Sequence, residues 1–132
     1  MTLKTTIESL SRKDLLKLNR SLKYACSTLI GNSSTKIRTY KKDSKLHGEF
    51  DSYTLTIKIY RGSIKNIEKY VEVFIHEWTH SVQKDIKTKY DKMTEKYGYK
   101  KNPYEIEARK NEKVYRSNIW KVAKTIIKNG TN

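Results

Sequence analysis

The chain has 132 residues, which fits one domain and leaves too little length for two ordinary hydrophobic cores. Its 29 Lys and Arg outnumber 14 Asp and Glu, giving a formal charge of +15, and its apolar positions recur periodically, which excludes a disordered polyelectrolyte. No apolar run is long enough to span a bilayer and the first residues lack the apolar centre of a signal peptide, so the expected location is the cytoplasm, or host cytoplasm or a virion for a viral protein.

The first helix is predicted to start at Ser11, where Ser11 and Asp14 stand at capping-box spacing, and to end near Gly31. Leu15, Leu18, Leu22, Ala25 and Leu29 form its apolar stripe. Cys26, the lone cysteine, lies in the same stripe and is expected to pack in the core. Lys36 to Lys42, Gly48 to Asp51 and Tyr53 to Tyr60 read as strands of a small antiparallel sheet. Ser63 is then a candidate cap for a long helix from Ile64 to about Lys87, with Ile64, Ile67, Val71, Phe74, Ile75, Trp78 and Val82 on its apolar face. The Lys- and Tyr-rich stretch from Lys89 to Lys101 is expected to be mainly loop. Asn102 and Pro103 mark the start of a last helix that carries Tyr104, Ala108, Tyr115, Ile119, Val122 and Ile126 on one face. The expectation is one α+β domain spanning residues 1–132, a small sheet packed with three helices.

The chemistry is concentrated in His76-Glu77-Trp78-Thr79-His80. On a helix, residues four apart project from one face, so the two imidazoles can share one tetrahedral zinc ion. Glu77 is turned to the flank of such an ion, where its carboxylate can take a proton from an attacking water. With 3 His and 9 Glu in 132 residues, chance would produce this pentapeptide at a frequency on the order of 0.5%. Two histidines leave a catalytic zinc short of a third protein ligand. His47 reads as a surface turn residue, whereas the acidic helix start from Asn102 to Arg109 offers Glu105 and Glu107.

These residues resemble the gluzincin zinc metallopeptidases, in which an HExxH helix is joined by a downstream glutamate ligand. The resemblance covers about the last half of the chain. Glu105-Ile106-Glu107-Ala108-Arg109 follows the family's Glu-x-x-small-Asp pattern through the small residue, and Pro103-Tyr104-Glu105-Ile106-Glu107-Ala108 resembles a segment of small phage and bacterial HExxH proteins. The resemblance implies a zincin-like fold, Zn²⁺ held by His76, His80 and Glu105, with Glu107 as the alternative third ligand, and Glu77 as the catalytic base. Arg109 stands where the family often has an aspartate, which leaves the partner of a ligand histidine unassigned.

An oxyanion-stabilising group is less well marked: Tyr115, Tyr97 and Tyr99 are the candidates, and the strand from Tyr53 to Tyr60 is a candidate edge for an extended substrate. The expected function is zinc-dependent hydrolysis of a protein or peptide. The alternative is a basic nucleic-acid- or virion-associated binding protein with a structural or catalytically degenerate zinc site. Because the lysines are scattered, the charge reads first as a solvated surface and only second as a site for nucleic acid or an acidic protein.

Overall fold

The computed structural model describes Ile7 and residues 10–130, with side chains described through Thr125. The chain is α+β. Helix α1 (Arg12–Leu29) is followed by strands β1 (Lys36–Tyr40), β2 (Gly48–Asp51) and β3 (Thr56–Tyr60), then by helices α2 (Ile67–Val82), α3 (Ile86–Tyr97) and α4 (Pro103–Gly130). No helix among the described residues is long and apolar enough to cross a membrane.

The expected caps account for two helix starts. Ser11 Oγ accepts from Asp14 N at 3.1 Å at the head of α1, and Asn102 Oδ1 accepts from Tyr104 N at 2.9 Å at the head of α4. Both bonds satisfy amides that have no partner inside the helix. Helix α2 begins later than expected, because Asn66 rather than Ser63 accepts from Lys69 N, at 2.8 Å. Ser63 instead donates to Tyr60 O and closes a short 3₁₀ turn, Arg61–Ser63.

The sheet is mixed, not wholly antiparallel. Its order is β1-β3-β2, with β1 parallel and β2 antiparallel to β3. The crossing segment between β1 and β2 is pinned by Tyr60 N donating to His47 O at 2.9 Å and Gly62 N donating to Lys42 O at 3.2 Å. Strand β3 is also shorter than Tyr53 to Tyr60. Asp51 Oδ1 captures the amides of Tyr53 and Thr54 at 3.0 and 3.2 Å, and Leu55 follows at φ 49, so residues 52–55 form a turn.

Around these elements the core is contiguous. Leu15, Leu18, Leu22 and Cys26 of α1 meet Ile57 and Ile59 of β3, Val71, Phe74 and Trp78 of α2, and Ile119 and Ala123 of α4. Burial pushes the Cys26 thiol well above its ordinary range, which makes it an inert packing group. Trp78 is fully buried, and its indole N–H donates to Gly31 O at 2.9 Å, tying α2 to the end of α1. Val122 and Tyr115 lie partly buried against the core. The Ile126 side chain lies outside the described residues.

Two further differences shape the site. The long helix expected to reach Lys87 stops at Val82, because Gln83 adopts extended ψ 131 and Asp85 turns to φ 59. The stretch expected to be loop is largely the helix α3, which has no fully buried residue. Asn102, itself completely buried, holds α3 in place: its Nδ2 donates to Tyr90 O at 3.2 Å and Thr94 Oγ1 at 2.9 Å. The residue that starts α4 therefore also positions Tyr90.

Candidate metal centre

Helix α2 carries His76, Glu77 and His80 toward the first turn of α4, where Glu105 is 3% exposed. His76 Nε2 lies 2.8 Å from Glu105 Oε1, and His80 Nε2 lies 3.2 Å from the same oxygen. The two rings meet edge to face with centroids 4.9 Å apart. His76, His80 and Glu105 thus form a group that can hold a metal ion, each offering one ligand atom within 4.8 Å of the others.

The tautomers follow from the partners on the far side of each ring. His76 Nδ1 is 2.8 Å from Glu112 Oε2, and His80 Nδ1 is 2.7 Å from Gln83 Oε1. Each Nδ1 must carry a hydrogen to meet an oxygen there, which leaves each neutral ring with a bare Nε2 lone pair aimed inward. Two lone pairs and a carboxylate oxygen then converge on one point. Only a cation, a proton or a metal ion, satisfies all three.

The donor set of two imidazole nitrogens and one carboxylate oxygen is of a kind that fits zinc among other divalent ions.

Without a metal, a proton takes its place electrostatically. Burial works against a charged His76, but hydrogen bonds to Glu105 and Glu112 and the nearby Glu77 charge outweigh it and raise its pKa to about 10. His80 is raised for the same reasons, against burial and mainly through Glu105. For Glu105 burial favours the neutral acid, yet its bonds to both histidines hold it well below the usual carboxylate range. Glu77, 7% exposed, behaves differently: burial lifts its carboxyl to about 7, against the opposing pull of the two histidines.

Four residues that support the cluster were not foreseen. Glu112 orients His76. It lies seven positions beyond Glu105, two turns along one helix face, so helical spacing held the signal. Tyr90 donates its hydroxyl hydrogen to Glu105 Oε2, leaving Oε1 toward the histidines. Gln83 reaches His80 from the end of α2. Asn111 Nδ2 donates at 3.1 Å to Thr79 Oγ1, which in turn donates to Ile75 O at 2.8 Å, bracing the helix between the ligands.

The remaining expected residues are dispersed. Glu107 is exposed and accepts from Gln83 Nε2 at 2.9 Å; it is not in the ligand cluster. Arg109 donates to Lys100 O and makes no contact with a ligand histidine. His47 is exposed, with Nδ1 3.4 Å from Ser63 Oγ, and does not belong to the cluster. Tyr115 packs on the core and Tyr97 is 45% exposed at the end of α3, whereas Tyr99 borders the metal cleft.

That cleft holds about 300 Å³ between β2, α2 and α3, with His76, Glu77, His80 and Glu105 at its base and Leu46, Tyr53 and Lys87 among its rim. Strand β2 is a sheet edge. Gly48 lets it lie close to α2: a Cβ there would sit 2.7 Å from Val73 Cγ1 and 3.4 Å from Glu77 Cγ.

Comparison with known proteins returns no matching family model, no matching curated protein and no matching solved structure.

Proposed function

We propose that this protein is a gluzincin-type zinc peptidase that hydrolyses peptide bonds in a protein or peptide substrate. The observation that carries the reading is the convergence of His76 Nε2, His80 Nε2 and Glu105 Oε1 at the base of a cleft that Glu77 also lines. His76, His80 and Glu105 would hold the zinc ion, which when bound would supply Lewis acidity to activate water and polarise a carbonyl.

The chain's own residues do the rest. Glu77, which lines the cleft beside the two histidines, accepts the proton of the attacking water and returns it to the departing amine. Glu112 and Gln83 hold the two imidazoles with Nε2 inward, so no ring has to reorient when the site fills. An extended substrate pairs with the outer edge of β2. The stretch from Tyr53 to Tyr60 cannot provide that edge, because β3 is central and paired on both sides.

The test couples metal content to activity. Glu77→Gln is expected to keep about one zinc per chain while losing cleavage of an unfolded protein substrate. Cleavage retained in that variant removes the proposed role of Glu77.

A specific feature of α1 favours a second reading, a basic protein associated with nucleic acid or a virion whose metal site is structural or catalytically degenerate. Arg12, Lys13, Lys17 and Arg20 are exposed on this helix beside Tyr24, which is 76% exposed, and Asp14 is its only acidic residue. None of these four cations takes part in an ion pair among the described residues. Such a face suits phosphate contacts. Binding to DNA or RNA that weakens steeply with salt, and weakens further when Lys13, Lys17 and Arg20 are replaced by Ala, supports this reading; salt-independent binding contradicts it.

A further inference from the structure

Gln83 is the first residue beyond α2, and its side chain makes three hydrogen bonds. Its Nε2 donates to Tyr104 O at 2.8 Å and to Glu107 Oε1 at 2.9 Å, while its Oε1 lies 2.7 Å from His80 Nδ1. We propose that Gln83, clamped by Glu107 and the Tyr104 carbonyl, is the positioning residue that fixes the tautomer and ring orientation of His80 for metal binding. This inference rests on the metal-centre reading above and extends it to a residue outside the ligand set.

Donors and acceptors decide the orientation of the Gln83 amide. A carbonyl oxygen and a carboxylate oxygen can only accept, so both hydrogens of the Gln83 amide are committed to α4. The amide oxygen is then forced toward His80, and only a ring N–H can meet it at 2.7 Å. The hydrogen therefore sits on Nδ1 and the Nε2 lone pair points at the shared site. Turning the amide over would set its oxygen against the Tyr104 and Glu107 oxygens and leave its hydrogens facing His80, losing two bonds and creating repulsion.

His76 does not need such a device. It has Glu112, a charged acceptor, directly on Nδ1. His80 is 5% exposed and has only the neutral Gln83 amide there, so the Glu107 charge acts one step removed, through the amide it holds. This gives Glu107 a role although it lies outside the cluster. It also gives the helix break a consequence: the extended backbone at Gln83 ends α2 at the point where its side chain bridges to α4.

The experiment measures zinc affinity by chelator competition, together with the His80 Nδ1–H signal in nitrogen-15 NMR spectra of zinc-free and zinc-loaded full-length protein. Wild type is expected to show an exchange-protected Nδ1–H in both forms. Gln83→Met keeps the side-chain length but cannot accept, so the protected signal disappears and zinc binds about 10–100-fold more weakly. The double swap Gln83→Glu with Glu107→Gln restores an acceptor toward His80 and a donor from position 107 but sets a carboxylate oxygen against Tyr104 O, so it is expected to recover the signal and only part of the affinity; a residue needed only for packing would show no such rescue. An unchanged His80 signal and affinity in Gln83→Met, with the fold intact by circular dichroism, overturns the inference alone. A wild-type protein that shows the protected signal yet binds no zinc overturns the metal reading instead.

Discussion

Glu112 Oε2 lies 2.8 Å from His76 Nδ1, placing a carboxylate behind a candidate ligand histidine one turn of α4 beyond Arg109. The resemblance to gluzincins leads one to look for an acidic partner at Arg109, and the fold supplies it from the next turn. Glu112 is also partly open to solvent, with 21% of its side-chain surface exposed. Replacing Glu112 by Ala is expected to weaken zinc binding about 10–100-fold while leaving the fold intact. Chelator competition on the purified variant checks this, and affinity equal to wild type would show that His76 needs no such partner.

The zinc-free cluster carries a pH signature. His76 has a folded pKa of about 10 against an ordinary value of 6.5. A raised pKa contributes stability that is fully present below about 6.5 and is lost as pH rises through about 10. Glu105 is shifted the other way, so its contribution is present above 4.5 and is lost as pH falls through its depressed folded value. The metal-free protein is therefore expected to draw most stability from this pair between about pH 4.5 and 6.5, and to lose it progressively above and below that window. Thermal unfolding of wild type and His76→Gln from acid to alkaline pH reads this directly: the gap between them should be widest between about pH 4.5 and 6.5 and shrink steadily toward pH 10. Zinc must displace the His76 proton, so its binding should release protons near neutral pH and tighten as pH rises.

Gly48 is expected to matter for the cleft rather than for the metal. A Cβ at this position would sit 2.7 Å from Val73 Cγ1 and 3.0 Å from Lys58 O, on the side of β2 that approaches Glu77. Gly48→Ala should push β2 away from α2, costing about 1–3 kcal/mol in stability. Zinc stoichiometry should be preserved and peptidase activity reduced. Unfolding in urea and metal analysis of the same preparation separate the two effects.

Trp78, between the two histidines of the motif, is a core anchor and not a reactive group. It stacks near Phe74 with ring centroids 6.2 Å apart and bonds to Gly31 O. Trp78→Phe should lose the bond and cost about 1 kcal/mol, whereas Trp78→Ala should cost about 3–5 kcal/mol. Denaturant midpoints measure both; equal costs would mean that packing volume is unimportant there.

The sequence made some of this visible because the signals were local. Ser11, Asn102 and Pro103 announce helix starts through bonds they make within a few residues, and His76, Glu77 and His80 announce themselves by spacing on one helix. The mixed sheet was not local. The direction of β1 relative to β3 depends on the crossing segment ending at His47, whose carbonyl accepts from Tyr60 N. Tyr53 and Thr54 have strand-forming side chains, but Asp51 takes their amides and makes a turn instead. Helix α3 escaped a reading based on buried faces because it has no fully buried residue, and the end of α2 escaped because neither Gly nor Pro marks it. Glu105 was separable from Glu107 only in part, since residues two apart on a helix diverge but spacing does not say which one points inward.

Metal analysis of purified protein, saturated with zinc and then passed into metal-free buffer, bears most directly on the convergence of His76, His80 and Glu105. Wild type and Glu77→Gln are expected to retain about one zinc per chain, and His80→Ala and Glu105→Ala to retain almost none, with all four folded by circular dichroism. A folded wild-type protein that retains no metal, or a Glu105→Ala variant that retains a full equivalent, would contradict the three-ligand site.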